Sequence, residues 1–151
     1  MKVEVVPYEP IHGVKIIERN VRERGIKPYS EWRTFAQGWK DGGPAYTLFI
    51  DSEIVLSAGI ILLDWKRGEA WALLSGSFYR YKKTCFKLFR EHLEKIVKAH
   101  KLIRIQAVIY PDFDAAKRFM EHLGFQEEGL MRAYGPSNEN MIMYSRIFSH
   151  G

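Results

Sequence analysis

The chain has 151 residues, and 23 Lys and Arg against 18 Asp and Glu leave a net charge of +5. That length predicts a single domain over residues 1–151, and 46% hydrophobic with 27% charged residues exclude wholesale disorder and a fibrous repeat. The apolar runs, such as residues 59–63, fall far short of the ~20 residues of a membrane span. The N-terminus lacks the apolar stretch of a signal peptide, and the single cysteine, Cys85, can form no internal disulfide, so a cytoplasmic protein without a membrane partner is expected. The positive balance points to an anionic ligand but is too small to specify nucleic acid.

Residues 2–6 alternate, with Val3 and Val5 on one face and Lys2 and Glu4 on the other, the period of a half-buried strand. Val14, Ile17 and Val21 then follow a helical period, and Gly25 suits the left-handed residue that closes a helix. Ser30 can cap a second helix whose Trp32, Phe35, Ala36 and Trp39 form an apolar stripe, before Asp41, Gly42, Gly43 and Pro44 force a turn. Residues 45–50, 54–65 and 69–76 are rich in β-branched, aromatic and aliphatic side chains. Their separators, Asp51-Ser52-Glu53 and Lys66-Arg67-Gly68, are short enough for hairpins, so three antiparallel strands are expected. Gly59 marks a bulge, a close backbone approach or a simple packing position.

From residue 84 the period is helical again. Phe86, Phe89, Leu93, Ile96 and Val97 share a face, and Glu91 with Lys95 and Glu94 with Lys98 are favourable pairs, predicting a helix over 84–100. A strand over 102–109, a helix over 114–123 ended by Gly124, and strands over 125–133 and 140–147 complete the chain. The long helix between two strands makes a right-handed crossover with strands 69–76 and 102–109 parallel. The expected class is α/β, in the order β-α-α-β-β-β-α-β-α-β-β: a mixed central sheet flanked by helices.

Ala116-Lys117-Arg118-Phe119-Met120-Glu121-His122-Leu123-Gly124-Phe125-Gln126-Glu127-Glu128-Gly129 resembles a segment of the GNAT (GCN5-related N-acetyltransferase) superfamily, with Ala116, Phe119, Leu123, Gly124 and Phe125 on matching positions. The resemblance implies a GNAT fold, acetyl-CoA as cofactor with no metal, and transfer of acetyl to a primary amine of a small molecule or protein. It puts the coenzyme between the strands ending near Ser75 and Ile109. In the family's cofactor motif, Arg/Gln-x-x-Gly-x-Gly/Ala, the register gives Arg80-Tyr81-Lys82-Lys83-Thr84-Cys85. Lys83 thus stands in the glycine slot and Cys85 in the small-residue slot. Leu74, Ser75, Arg80, Tyr81, Lys82, Lys83, Thr84, Cys85 and Phe119 are the cofactor-binding residues so implied. The family's tyrosine acid is replaced by Met120, which gives no proton, and its asparagine by Phe113. The degraded motif, the basic start of the long helix and the segment at 25–28 also resemble small GNAT-like proteins of tailed phages, which implies the alternative of a scaffold binding virion or other partners.

Arg80, Lys82, Lys83 and Lys87 crowd a helix start, where the dipole disfavours each exposed cation by about 0.3–1 kcal/mol and a bound anion would relieve them. The alternatives are a solvated basic turn and, with Phe78, Tyr79 and Tyr81 interleaved, a base-stacking surface. Cys85 in the first turn is either a nucleophile or a small buried residue. The resemblance implies a general base at Glu69, at the start of the strand that leads to the cofactor loop, with Asp64 as the second candidate, and the other reading of Glu69 is a hairpin-end charge; Ser75 binds acceptor or water, or is a strand hydroxyl. Tyr134, Tyr144, His122 and Tyr110 are candidates for the missing acid. Trp32, Phe35 and Trp39 line an acceptor pocket or pack helix two on the sheet. The five histidines show no metal spacing. The sequence leaves the oligomeric state open, a homodimer included.

Overall fold

The computed structural model describes residues 1–25, 27–28 and 31–150. Strands β1 (Val3–Pro7), β2 (Ala45–Ile50), β3 (Glu53–Leu62), β4 (Arg67–Leu74), β5 (Arg104–Ile109), β6 (Gln126–Met131) and β7 (Met141–Ile147) form a mixed, mostly antiparallel sheet in the order β1-β2-β3-β4-β5-β7-β6. Helices α1 (Pro10–Arg24), α2 (Trp32–Asp41), α3 (Lys82–His100) and α4 (Asp114–His122) intervene, and a 3₁₀ segment, Gly76–Tyr81, runs directly into α3. This is the expected element order. The expected Ser30 cap of α2 lies outside the described residues.

The chain divides into two compact units, residues 1–61 with 71–89, and residues 62–70 with 90–151. In the first, β1 pairs antiparallel with β2 and β2 with β3. Asp51 and Ser52 both take positive φ, 50° and 66°, the conformation that a tight hairpin turn requires. Leu48, Ile50, Val55, Ile16, Tyr8 and Cys85 are buried. Helix α1 ends at Gly25, whose φ of 64° is the left-handed cap that its sequence predicts. Gly59 is a close approach. A Cβ there would stand 2.5 Å from the Ala45 Cβ and 2.7 Å from the Pro44 carbonyl oxygen. Gly59→Ala should therefore destabilise the fold by about 1–3 kcal/mol, read as a lower urea midpoint with unchanged m-value.

Half-buried His12 of α1 joins the buried Thr47 and Ser57 in a polar chain. The Glu9 backbone N–H donates to His12 Nδ1 at 3.0 Å, which Thr47 Oγ1 also meets at 2.8 Å, and Thr47 in turn bonds Ser57 Oγ at 2.8 Å. A backbone N–H can only donate, so Nδ1 is unprotonated and His12 is the neutral Nε2–H tautomer. Burial holds its pKa below 6.5, with Lys15 and Lys40 adding to the shift and Glu9 opposing it. The unfolded chain then binds a proton that the folded chain refuses. Stability should be full above about pH 6.5 and fall as pH drops towards the lowered pKa. Denaturant titrations of wild type and His12→Ala test this: the variant should be less stable at neutral pH and show a shallower acid dependence.

In the second unit, β4 runs parallel to β5, Arg67 to Glu69 lying against Arg104 to Gln106, as the crossover requires. Strand β7 pairs antiparallel with both β5 and β6. Leu102, Ile105, Leu93, Val97, Phe125 and Tyr144 are buried. The Arg104 guanidinium, followed by the Ser145 hydroxyl, draws the Glu128 carboxyl down to about 2.

Several boundaries differ from those expected. The β3–β4 turn lies at 63–66 rather than 66–68, because Asp64 Oδ1 accepts the N–H groups of Lys66 and Arg67, both at 2.9 Å, and closes the chain early. Strand β4 ends at Leu74, not 76, where Ser75 opens the 3₁₀ segment. Helix α3 starts at Lys82 rather than 84. Strand β6 stops at Met131 because Ala133 takes a φ of 51° and the N–H groups of Tyr134 and Gly135 turn to the Glu139 carbonyl.

Candidate functional site

The start of α3 is built by α1, β3 and the 3₁₀ segment of the first unit. Ser75 opens that segment, and its fully buried hydroxyl donates to the Ile54 carbonyl at 2.9 Å while its N–H donates to Val55. That proton is committed to the backbone. Ser77, also buried, donates to Glu53, which Arg19 grips from α1. Arg19 also reaches the Ile54 carbonyl and Glu23, so one guanidinium staples the approach to α3. These contacts hold the Glu53 carboxyl below its ordinary pKa, with Ser77 the largest contributor and Arg19 next. Asn20 donates to the Leu74 carbonyl at 3.0 Å, engaging the last residue of β4.

On this frame stand Arg80, Lys82 and Lys83, all exposed, with Tyr81 and Thr84 partly buried. The guanidinium of Arg24, from the last turn of α1, lies 5.6 Å from the Tyr79 ring centre and Lys82 Nζ 5.7 Å from it, while Arg80 lies 5.8 Å from that of Tyr81. Arg24 is a member of this cluster that the sequence analysis missed. Its only signal there was a basic residue in the last turn of another helix. The 3₁₀ segment leads straight into α3, so the positive end of the α3 dipole falls near Lys82, Lys83 and Thr84. Among the described residues no carboxylate forms an ion pair with Arg24, Arg80, Lys82 or Lys83.

Lys83 is exposed, so its side chain leaves the start of α3 open and adds a positive charge there, a surface that fits an anion such as pyrophosphate. Cys85 is fully buried, and burial pushes its thiol up to about 12. It is a packing residue with no thiolate to offer. Trp39 stacks on Trp71 of β4 at 4.9 Å, and Tyr8 meets Trp71 edge-on at 5.1 Å while donating to the Ala36 carbonyl. These aromatic side chains pack α2 on the sheet, and Phe35 remains exposed.

The other candidates lie in the second unit. Glu69, the third residue of β4, accepts from Gln106 Nε2 at 3.0 Å, which orients its carboxylate. Asp64 is bound into its own turn by Arg67. Met120 is buried at the end of α4, and Phe119 precedes it. Tyr134 is exposed in the β6–β7 loop; Tyr110 is exposed with its pKa raised by burial of its hydroxyl and then by Glu139. Tyr144 is buried, and that burial raises its pKa. The structure thus gathers Ser75, Arg80, Tyr81, Lys82, Lys83, Thr84 and Cys85 with Arg24, while Glu69, Phe119 and Tyr134 stand on other elements. Among the described residues no cluster of His, Cys, Asp and Glu could hold a metal, and no helix is long and apolar enough to cross a membrane.

No family model matches the sequence, and neither does any curated protein. Solved structures do match it. The ribosomal-protein-S18-alanine N-acetyltransferase of Escherichia coli superposes with a TM-score of 0.78 at 17% identity, covering 99% of this chain and 96% of that one. A GNAT-family acetyltransferase from Streptococcus pneumoniae gives 0.70 at 14%, covering 98% and 100%. A ribosomal L7/L12 α-N-protein acetyltransferase in complex with coenzyme A gives 0.73 at 15%, covering 97% and 94%.

Proposed function

We propose that this chain, which has the fold of the GNAT acetyltransferases, is an acetyl-CoA-dependent N-acetyltransferase acting on a primary amine. The observation that carries this reading is the start of α3, where Arg24, Arg80, Lys82 and Lys83 converge without a paired carboxylate on the end of a helix dipole that favours an anion. Arg80, Lys82, Lys83 and the N–H groups beside Thr84 would hold the coenzyme pyrophosphate, with the backbone of Leu74 and Ser75 beside them. The solved complex of a similar fold with coenzyme A supports this choice of ligand.

Acetyl-CoA supplies an activated acyl thioester. The chain's own contribution is charge and position. Glu69, held by Gln106, takes the proton of the acceptor ammonium so that the amine attacks as a neutral nucleophile. Backbone N–H groups stabilise the oxyanion, a contribution that needs no side-chain acid. Met120, buried where the resemblance puts an acid, gives no proton, so Tyr134 or water would be the proton source for a leaving thiol of pKa about 8.5. The test is release of free thiol from acetyl-CoA in the presence of a panel of amines and peptides with free N-termini. Release above the amine-free control supports transfer; coenzyme binding without release across the panel favours the second reading, a scaffold of phage type, for which Met120 is the specific observation.

A further inference from the structure

Within the second unit, β4 and β5 pair through Arg67 with Arg104, Gly68 with Ile105 and Glu69 with Gln106. Glu69 and Gln106 are the last pair of this ladder, although β4 runs on to Leu74 and β5 to Ile109. Residues that face each other across a sheet share a face, and the same register continues from Gln106 to Ser145 of β7 and from Ser145 to Gln126 of β6. Along this face, from β4 to β6, runs an unbroken chain of side-chain hydrogen bonds that starts at Glu69.

Gln106 Nε2 donates to Glu69 Oε1 at 3.0 Å, and Gln106 Oε1 accepts from Arg104 Nε at 3.2 Å. Glu128 takes both ends of the guanidinium, Nη1 donating to Oε2 at 2.8 Å and Nη2 to Oε1 at 2.6 Å. The buried Ser145 hydroxyl donates to the same Oε2 at 2.6 Å. Glu128 sits in a β-bulge: Glu127 faces Tyr144 and Gly129 faces Met143, so nothing stands opposite it. Such an irregularity re-aims a side chain.

The chemistry of these groups fixes the direction of the chain. A guanidinium only donates and a carboxylate only accepts. Arg104 therefore meets Gln106 at its oxygen, which turns the amide nitrogen to Glu69. With the amide reversed, oxygen would face carboxylate and nitrogen would face guanidinium, so both bonds would become repulsions. The bidentate grip of Glu128 holds the guanidinium in the pose that prevents this. The result at Glu69 is asymmetric: Oε1 is occupied, while Oε2 accepts no hydrogen bond among the described residues.

We propose that Arg104 is a positioning residue for Glu69, locking the Gln106 amide in the one orientation that holds Oε1 and leaves Oε2 to take the proton of the acceptor ammonium. This rests on Glu69 as the general base of the acetyl transfer proposed above. Gln106 is the link, and Glu128 with Ser145 is the anchor. A carboxylate released from this hold would spend less time in a productive pose, a loss in kcat rather than in coenzyme binding.

A double-mutant cycle with Glu69→Gln tests this. Arg104→Lys keeps the charge but loses the fork, and Gln106→Leu removes the amide while leaving Arg104 on Glu128. Each should lower kcat by about tenfold at neutral pH with the KM for acetyl-CoA unchanged. The deficit should shrink as pH approaches the amine pKa, as it should for Glu69→Gln. Added to Glu69→Gln, neither should cost anything more, because the group that they position can no longer take a proton. Should Arg104→Lys fail to fold, Gln106→Leu decides alone. Losses that add in full to that of Glu69→Gln overturn the proposal, as does either single variant at wild-type kcat while Glu69→Gln is impaired; both results leave the base in place. Glu69→Gln at wild-type activity removes the base itself and this proposal with it.

Discussion

Replacing Arg80, Lys82 and Lys83 together with glutamate should abolish measurable coenzyme A binding, a loss of more than about a hundredfold. Each cation at the start of α3 stands where the positive end of the helix dipole disfavours it, so three or more of them, with Arg24 added from α1, create a field that an anion relieves. Reversing the charges removes the attraction and adds repulsion against pyrophosphate. The same change puts carboxylates where the dipole favours them. The variant should therefore fold at least as stably as wild type, separating lost binding from lost structure. Arg24→Ala should give a smaller loss in the same direction, and binding by the wild type should weaken with added salt.

Glu69→Gln should lower kcat/KM by about a hundredfold or more at neutral pH, more than any Tyr→Phe change at 110, 134 or 144. An alkyl ammonium of pKa near 10.4 is almost wholly protonated at neutral pH, so the base carries the burden. Glutamine keeps the shape and a bond to Gln106 but cannot take the proton. The deficit should shrink as pH approaches the amine pKa, where solvent has already removed the proton, and this convergence distinguishes a base from a merely structural carboxylate. A Glu69→Gln profile parallel to wild type would remove Glu69 from the chemistry; a tyrosine that outranks it would mean that the acid has moved. Tyr110 and Tyr144 are handicapped as donors, since burial raises both pKa values.

What the sequence made legible was periodicity. The alternation of 104–109, the apolar face of the long helix and Gly25 as a left-handed cap all reflect local patterns, and the parallel pairing of β4 with β5 follows from the crossover they define. What escaped it were side-chain bonds across the chain. The Asp64 turn shifted a hairpin because a carboxylate bonding its own backbone outcompeted the strand pattern. Ser75 stays open in the sequence between an acceptor-binding and a strand hydroxyl because nothing local tells that Ile54 will accept its proton. Arg24 and Arg19 join the helix start from 50 or more residues away, beyond the reach of any motif. Gly59 became intelligible only with Ala45 beside it. Lys83 is the instructive case: by motif it obstructs, whereas at the surface it adds charge.

Calorimetric titration of the wild-type protein with coenzyme A is the most direct test of the central claim, that the start of α3 holds the pyrophosphate. The account predicts saturable binding in the micromolar to sub-millimolar range that weakens as salt rises and disappears in the triple glutamate variant; heat-silent titration at millimolar coenzyme A, or affinity indifferent to both salt and the three substitutions, would contradict it.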